Sequence, residues 1–124
     1  MKKNPFFKVP DIMEYKKVLC VQPHPDDMDI SIGGTIARLA ERGAEIHYLT
    51  VTDDAAGFID SEYSVSERQD LRKKEQIDAG DLLGVKHYHW LDYPDAGKWD
   101  HHDVRNQIVD HIRTAFPKLE IFNS

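Results

Sequence analysis

The chain has 124 residues, 40% of them hydrophobic and 31% charged, which fits one globular domain, spanning 1–124, with a single modest core and excludes a multidomain arrangement. With 16 Lys+Arg against 22 Asp+Glu the formal charge is −6, so the surrounding field repels polyanions and disfavours a nucleic-acid or anionic-membrane role. The longest apolar run, near Val18 to Val21, falls far short of the roughly 20 residues a membrane-spanning helix needs.

In chain order, Met1-Lys2-Lys3 is a basic start, but Asn4, Pro5 and Lys8 interrupt any apolar stretch, so no signal peptide is read and the cytoplasm is the expected compartment. Val18-Leu19-Cys20-Val21 predicts a buried first strand ended by Pro23, with the single cysteine, Cys20, as a small buried hydrophobe. Ile30, Ile32, Ile36, Ala37, Leu39 and Ala40 recur at helical spacing and predict a first helix that begins near Asp29 or Ser31 and stops at Gly43. Glu45 to Val51 is β-branched and aromatic, a second strand returning beside the first. Thr52 to Val65 reads as a long loop. Ser66 and Gln69 then match a capping box, and Leu71, Ile77, Leu82 and Leu83 the apolar face of a second helix closed by Gly84. Lys86 to Leu91 predicts a third strand, Asp92 to Lys98 a loop, Ile108, Val109, Ile112 and Phe116 the stripe of a third helix, and Leu119 to Phe122 a fourth strand.

This alternation predicts a Rossmann-like, layered α/β fold around a mainly parallel sheet, in which ligands sit at the carboxyl ends of the strands. No helix follows the fourth strand, so the domain is expected to be C-terminally incomplete, finished by further polypeptide or by a second copy in a homo-oligomer.

The informative residues, Pro23-His24-Pro25-Asp26-Asp27, follow the first strand directly. Two adjacent carboxylates beside an imidazole call for charge compensation, and a cation is the simplest source. His24 offers a neutral nitrogen and Asp27 an oxygen, both good Zn²⁺ ligands, and Asp26 is placed to face a metal-bound water. Against this stands the plainer reading, in which His24 and Asp27 cap the next helix in solvent.

Continued by Ile32-Gly33-Gly34-Thr35, the His24-Pro25-Asp26-Asp27 segment resembles the signature of the PIG-L (LmbE-like) N-acetylglucosaminyl deacetylase family. Thr50-Val51-Thr52-Asp53 with Gly57, the helix bearing Arg72, Glu75, Ala79 and Leu83-Gly84, and Leu91-Asp92-Tyr93-Pro94-Asp95 resemble its later segments in order. The resemblance implies zinc-assisted hydrolysis of an N-acetyl group from a small-molecule amino-sugar conjugate. It implies His24 and Asp27 as zinc ligands, Asp26 as general base, and Arg72 and Asp95 as substrate contacts. Met28 stands where the family commonly has glutamate, and the downstream His-x-x-His segment that supplies the third ligand is absent from this sequence.

Other polar residues have plainer readings. His87 and His89 share a strand face in a packed or hydrogen-bonded role, His47 and His111 read as structural or surface residues, and His101-His102 as solvent-facing at a helix start. Gly33-Gly34 lacks dinucleotide-site spacing and reads as a packing feature. Arg72-Lys73-Lys74 reads as a solvated basic face, while Trp90, Tyr93 and Trp99 form either core or a wall for a sugar ring. Two competing functions are a receiver-like Mg²⁺-binding signalling module, which leaves His24 and both prolines unexplained, and a non-catalytic fragment of a deacetylase fold.

Overall fold

The structure, a computed structural model, describes residues 10–55, 62–95 and 99–115. After a single 3-10 turn at Ile12–Glu14, the elements run β1 (Lys17–Gln22), α1 (Asp27–Glu41), β2 (Glu45–Thr52), α2 (Val65–Leu83), β3 (His87–Tyr93) and α3 (His101–Ala115). The expected fourth strand at Leu119–Phe122, together with Gly57, Gly97 and Phe116, lies outside the described residues.

The strands form a parallel sheet in the order β1-β2-β3, with Cys20 opposite Tyr48 and Tyr48 opposite Tyr88. β2 is buried from Ile46 to Thr52, as a central strand covered on both faces must be. The face of Val18, Cys20, Ile46, Tyr48 and Tyr88 packs with Ile36, Leu39 and Ala40 of α1 and Leu83 of α2. α3 lies on the other face: the His111 ring sits 5.3 Å from that of His89, Gln107 Nε2 donates to the Tyr93 hydroxyl, and the Lys17 ammonium reaches the Ala115 carbonyl. The result is the layered α/β architecture expected from the alternation of elements.

Several boundaries and faces differ from the sequence reading. α1 starts at Asp27, earlier than Asp29 or Ser31, and is kinked at Ile32, whose φ of −136° departs from helical values beside Gly33-Gly34. The kink divides the expected stripe: Ile36 and Leu39 are buried, while Ile30 is 85% exposed. The capping box is Ser64 with Glu67, not Ser66 with Gln69. This choice leaves the Gln69 side chain to donate to Asp53 Oδ2 at 2.8 Å. α2 buries Gln76 and Gly80, and Leu82 points outward at 90% exposure. Gln76, Gly80 and Leu83 follow i, i+4, i+7 spacing, so the helix packs along a line that the apolar residues only partly mark. A Cβ at Gly80 would collide with the Tyr88 hydroxyl and ring, which explains the missing side chain there. β3 runs on to Tyr93, into the expected loop, and in α3 it is Val104 that is buried, with Ile108, Val109 and Ile112 only partly covered.

Candidate active site

The carboxyl ends of the strands carry the polar cluster. Past Gln22 the chain turns through Pro23 to Asp26, which takes the N-cap position of α1 in the left-handed conformation (φ 71°), with no side-chain capping bond. Asp54 (φ 52°) after β2 and Asp92 (φ 59°) near the end of β3 share that conformation, and they are the described non-glycine residues with positive φ. Aspartate tolerates this region better than most residues, at a cost of roughly 1–2 kcal/mol.

The turn is held from beneath by a polar network that sequence reasoning missed. Gln22, fully buried, donates from Nε2 to Thr50 Oγ1 and Gln76 Oε1, both at 2.8 Å, and accepts the Met28 N–H at 3.0 Å. Gln76, equally buried, accepts the Asp26 N–H at 2.7 Å and donates to Asp29 Oδ2 at 2.8 Å. Asp29 Oδ1 in turn accepts the Tyr48 hydroxyl at 2.8 Å. Buried amides persist where their donors and acceptors are paired, and this pair joins β1, β2, α1 and α2. The available signal was positional: Gln22 stands on the inward alternation of β1, and Gln76 on the packed line of α2.

Above the network sit the residues singled out from sequence. His24 Nε2 lies 2.8 Å from Asp95 Oδ1, and His24 Nδ1 lies 3.5 Å from Asp27 Oδ2. Asp27 Oδ2 also accepts the His24 N–H at 2.9 Å, which closes the turn. Arg72, from α2, pairs through Nε with Asp54 Oδ2 at 3.3 Å and through Nη1 with Glu75 Oε2 at 3.0 Å. The first loop, the second loop, α2 and the third loop thus each contribute to one edge. Asp54 is a member that the sequence reading did not single out. Asp95, expected against substrate, packs against His24.

The electrostatics follow from crowding. Burial works to lower the His24 pKa, but the Asp95 hydrogen bond and the charges of Asp95, Asp27 and Asp54 outweigh it and hold the imidazole above its ordinary value. Burial, then the neighbouring Asp29 and Glu75, push the Asp26 carboxyl up against the opposing pull of Arg72. Burial likewise raises Asp54, with Arg72 and His24 opposing and Asp95 and Asp27 adding repulsion. Asp53 goes the other way: burial would raise it, but the Ala55 N–H, the Gln69 amide and the Asp95 N–H together hold it below the usual carboxylate range.

Asp26 Oδ1 is buried without a hydrogen-bond partner. A carboxylate oxygen so placed, with the Asp29 carboxylate near it and Asp27 next in the chain, fits a position that a cation would fill. The 3.5 Å between His24 Nδ1 and Asp27 Oδ2 suits two ligands that each stand roughly 2.0–2.2 Å from one tetrahedral zinc.

Other candidates fall elsewhere. His101 and His102 open α3 in solvent, against Trp99 and Arg105 respectively. Trp90 stacks on Tyr88 with Lys73 Nζ 5.5 Å over its ring, a packing role, while Tyr93 and Trp99 pair at 5.5 Å. Lys73 also bonds Asp92 at 2.9 Å. Glu45, His47 and His87 form a further cluster with metal-ligand spacing, but they sit at the starts of β2 and β3. That is the opposite end of the sheet from His24.

Fold and site together define a layered α/β protein with a histidine–carboxylate centre at its strand ends. The chain belongs to the PIG-L family, described as GlcNAc-PI de-N-acetylase, whose model matches residues 19–122. It is 41% identical over 106 residues to the diacetylchitobiose deacetylase of Thermococcus kodakarensis, covering 86% of this chain and 40% of that one. Among solved structures it resembles the N,N'-diacetylchitobiose deacetylase of Pyrococcus horikoshii in complex with an inhibitor, at a TM-score of 0.78 and 39% identity over 82% of this chain and 38% of that one. The 4-carboxy-2-hydroxymuconate hydratase GalB of Pseudomonas putida shares the fold at a TM-score of 0.71 and 25% identity, over 80% of this chain and 43% of that one. The chain therefore spans about two fifths of the length of these proteins. Because one fold carries both a deacetylase and a hydratase, the site decides the chemistry. No helix among the described residues is long and apolar enough to cross a membrane.

Proposed function

We propose that the protein is a metal-dependent N-deacetylase that hydrolyses the acetamide of an amino-sugar conjugate to acetate and a free amine. The observation that carries this reading is the meeting of His24, Asp26 and Asp27 at the strand ends of a chain that belongs to the PIG-L family. The deacetylase names of its relatives support the amino-sugar substrate class.

His24 and Asp27 would hold a zinc ion, two of the three protein ligands a catalytic zinc takes. Such an ion supplies Lewis acidity, bringing the pKa of a water toward about 7. Asp26 accepts the proton of the attacking water: the residue is half-buried, its basicity is raised by burial and by Asp29, and Oδ1 has no competing partner. Asp95, bonded to His24 Nε2, fixes the ring so that Nδ1 faces Asp27. Arg72, braced by Asp54 and Glu75, presents a cation for substrate oxygens. The expected compartment is the cytoplasm. The family match displaces the receiver-like reading, which gave His24 no role.

The test combines zinc stoichiometry with release of primary amine from N,N'-diacetylchitobiose and other N-acetylglucosamine conjugates. Asp26→Asn is expected to keep zinc while losing about 10²–10⁴-fold in kcat, the usual contribution of a positioned general base. Asp27→Ala is expected to lose the zinc of this site and the activity with it. Full turnover in Asp26→Asn, or metal-free turnover in Asp27→Ala, would overturn the assignment.

A further inference from the structure

We infer that the amino-terminal end of the sheet carries a second, separate site for a divalent transition metal, formed by Glu45, His47 and His87. It lies about 17 Å from the proposed catalytic edge, taking roughly 3.3 Å per residue along β2 from His47 to Thr52.

The geometry begins with register. Parallel pairing sets His47 of β2 opposite His87 of β3, and the two rings stack at 4.2 Å with an interplanar angle of 12°. Stacked in this way, both present Nε2 to the same Glu45 carboxylate: His47 Nε2 lies 2.9 Å from Oε2 and His87 Nε2 lies 3.5 Å from Oε1. The three ligand atoms lie within 4.8 Å of one another, so one ion at ordinary nitrogen and oxygen distances meets all three once the half-exposed His87 ring and Glu45 carboxylate turn toward it. Two imidazoles and a carboxylate suit Zn²⁺, Ni²⁺ or Cu²⁺ rather than Mg²⁺ or Ca²⁺, with water completing the coordination.

His47 has the orienting partner that a metal ligand usually has. Its Nδ1 lies 2.9 Å from His89 Nε2, and when Nδ1 donates that hydrogen bond, Nε2 keeps its lone pair for a metal. His89 is parallel to His47 within 2° and lies against His111 of α3, so the ring that fixes His47 is itself packed in place. His47 Nε2 lies 2.9 Å from Glu45 Oε2, and the ion would insert into that contact. Glu45 and His87 are about half exposed, which leaves the site an entry path. Lys17 Nζ, 3.4 Å from Glu45 Oε2, is the cation already beside the carboxylate and competes with the ion; Lys86 lies next to His87 on the same rim.

This inference is independent of the deacetylase reading, and its test excludes the catalytic edge. Zinc alone is titrated into the purified Asp27→Ala protein, with a chromophoric chelator as competitor, and melting is followed in parallel. The expected result is one zinc per chain in the micromolar range or tighter and a zinc-dependent rise in Tm. Both should weaken at least tenfold in Asp27→Ala/His87→Asn and in Asp27→Ala/Glu45→Gln, whose altered side chains are half exposed and leave the core intact. Circular dichroism confirms that each variant is folded. Absence of zinc binding in Asp27→Ala, or binding unchanged by both second substitutions, would overturn the inference.

Discussion

The backbone N–H of Asp26 meets the side-chain oxygen of Gln76 at 2.7 Å, across 50 residues of sequence. Gln76 thereby braces the left-handed turn that presents the proposed base, and its own amide is fixed by Gln22 and Asp29.

Gln76→Leu is therefore expected to strand the Gln22 amide and the Asp26 N–H, a loss of about 1–3 kcal/mol in stability for each buried group left unpaired. Denaturant melts measure this, and kcat should fall more than KM rises, because the base moves while the substrate contacts stay. Gln76→Glu, which keeps the accepting oxygen, should retain more activity than Gln76→Leu.

Arg72→Met removes the cation between Asp54 and Glu75. With the proposed substrate role, KM is expected to rise about tenfold, the equivalent of roughly 1.4 kcal/mol of lost binding. Steady-state kinetics on N,N'-diacetylchitobiose give the answer, and an unchanged KM assigns Arg72 to charge balance alone.

Gly80→Ala places a methyl group against the Tyr88 ring. Overpacking of this kind costs about 1–3 kcal/mol, and Tyr88→Phe, which removes the nearest atom, should recover part of that loss in a double-mutant cycle on thermal stability.

Asp53 supplies an acid-sensitive element. Its folded pKa lies below its unfolded one, so its contribution is present above the unfolded value and is lost as pH falls through the folded value. Asp53→Asn is expected to flatten the loss of stability with falling pH in the acid range, as read from urea midpoints at a series of pH values.

How far these features were legible in the sequence depended on whether their signal was local. The Pro23-to-Asp27 turn stood out because proline, histidine and paired aspartates are unusual directly after an apolar strand. Element order followed from periodicity and from Gly43 and Gly84, both with positive φ in the structure. Asp54, Gln22 and Gln76 were not legible, because a polar residue on a buried face is recognised only when its partners, distant in sequence, are brought to it. The α2 start was misread for a related reason: Ser64-x-x-Glu67 and Ser66-x-x-Gln69 both satisfy the local pattern, and the demand of Asp53 for Gln69 lies in another segment. The histidine cluster was half legible, since the shared face of His87 and His89 follows from alternation, whereas the approach of His47 needs the strand register.

Asp26, Asp54 and Asp92, one at or near the end of each strand, all hold a backbone conformation that glycine would adopt with less strain. A chain tuned only for robustness would carry glycine at these three places. Asp26→Gly is accordingly the substitution in which durability and reactivity should part most clearly: a backbone relaxed by about 1 kcal/mol, and the proposed proton acceptor gone.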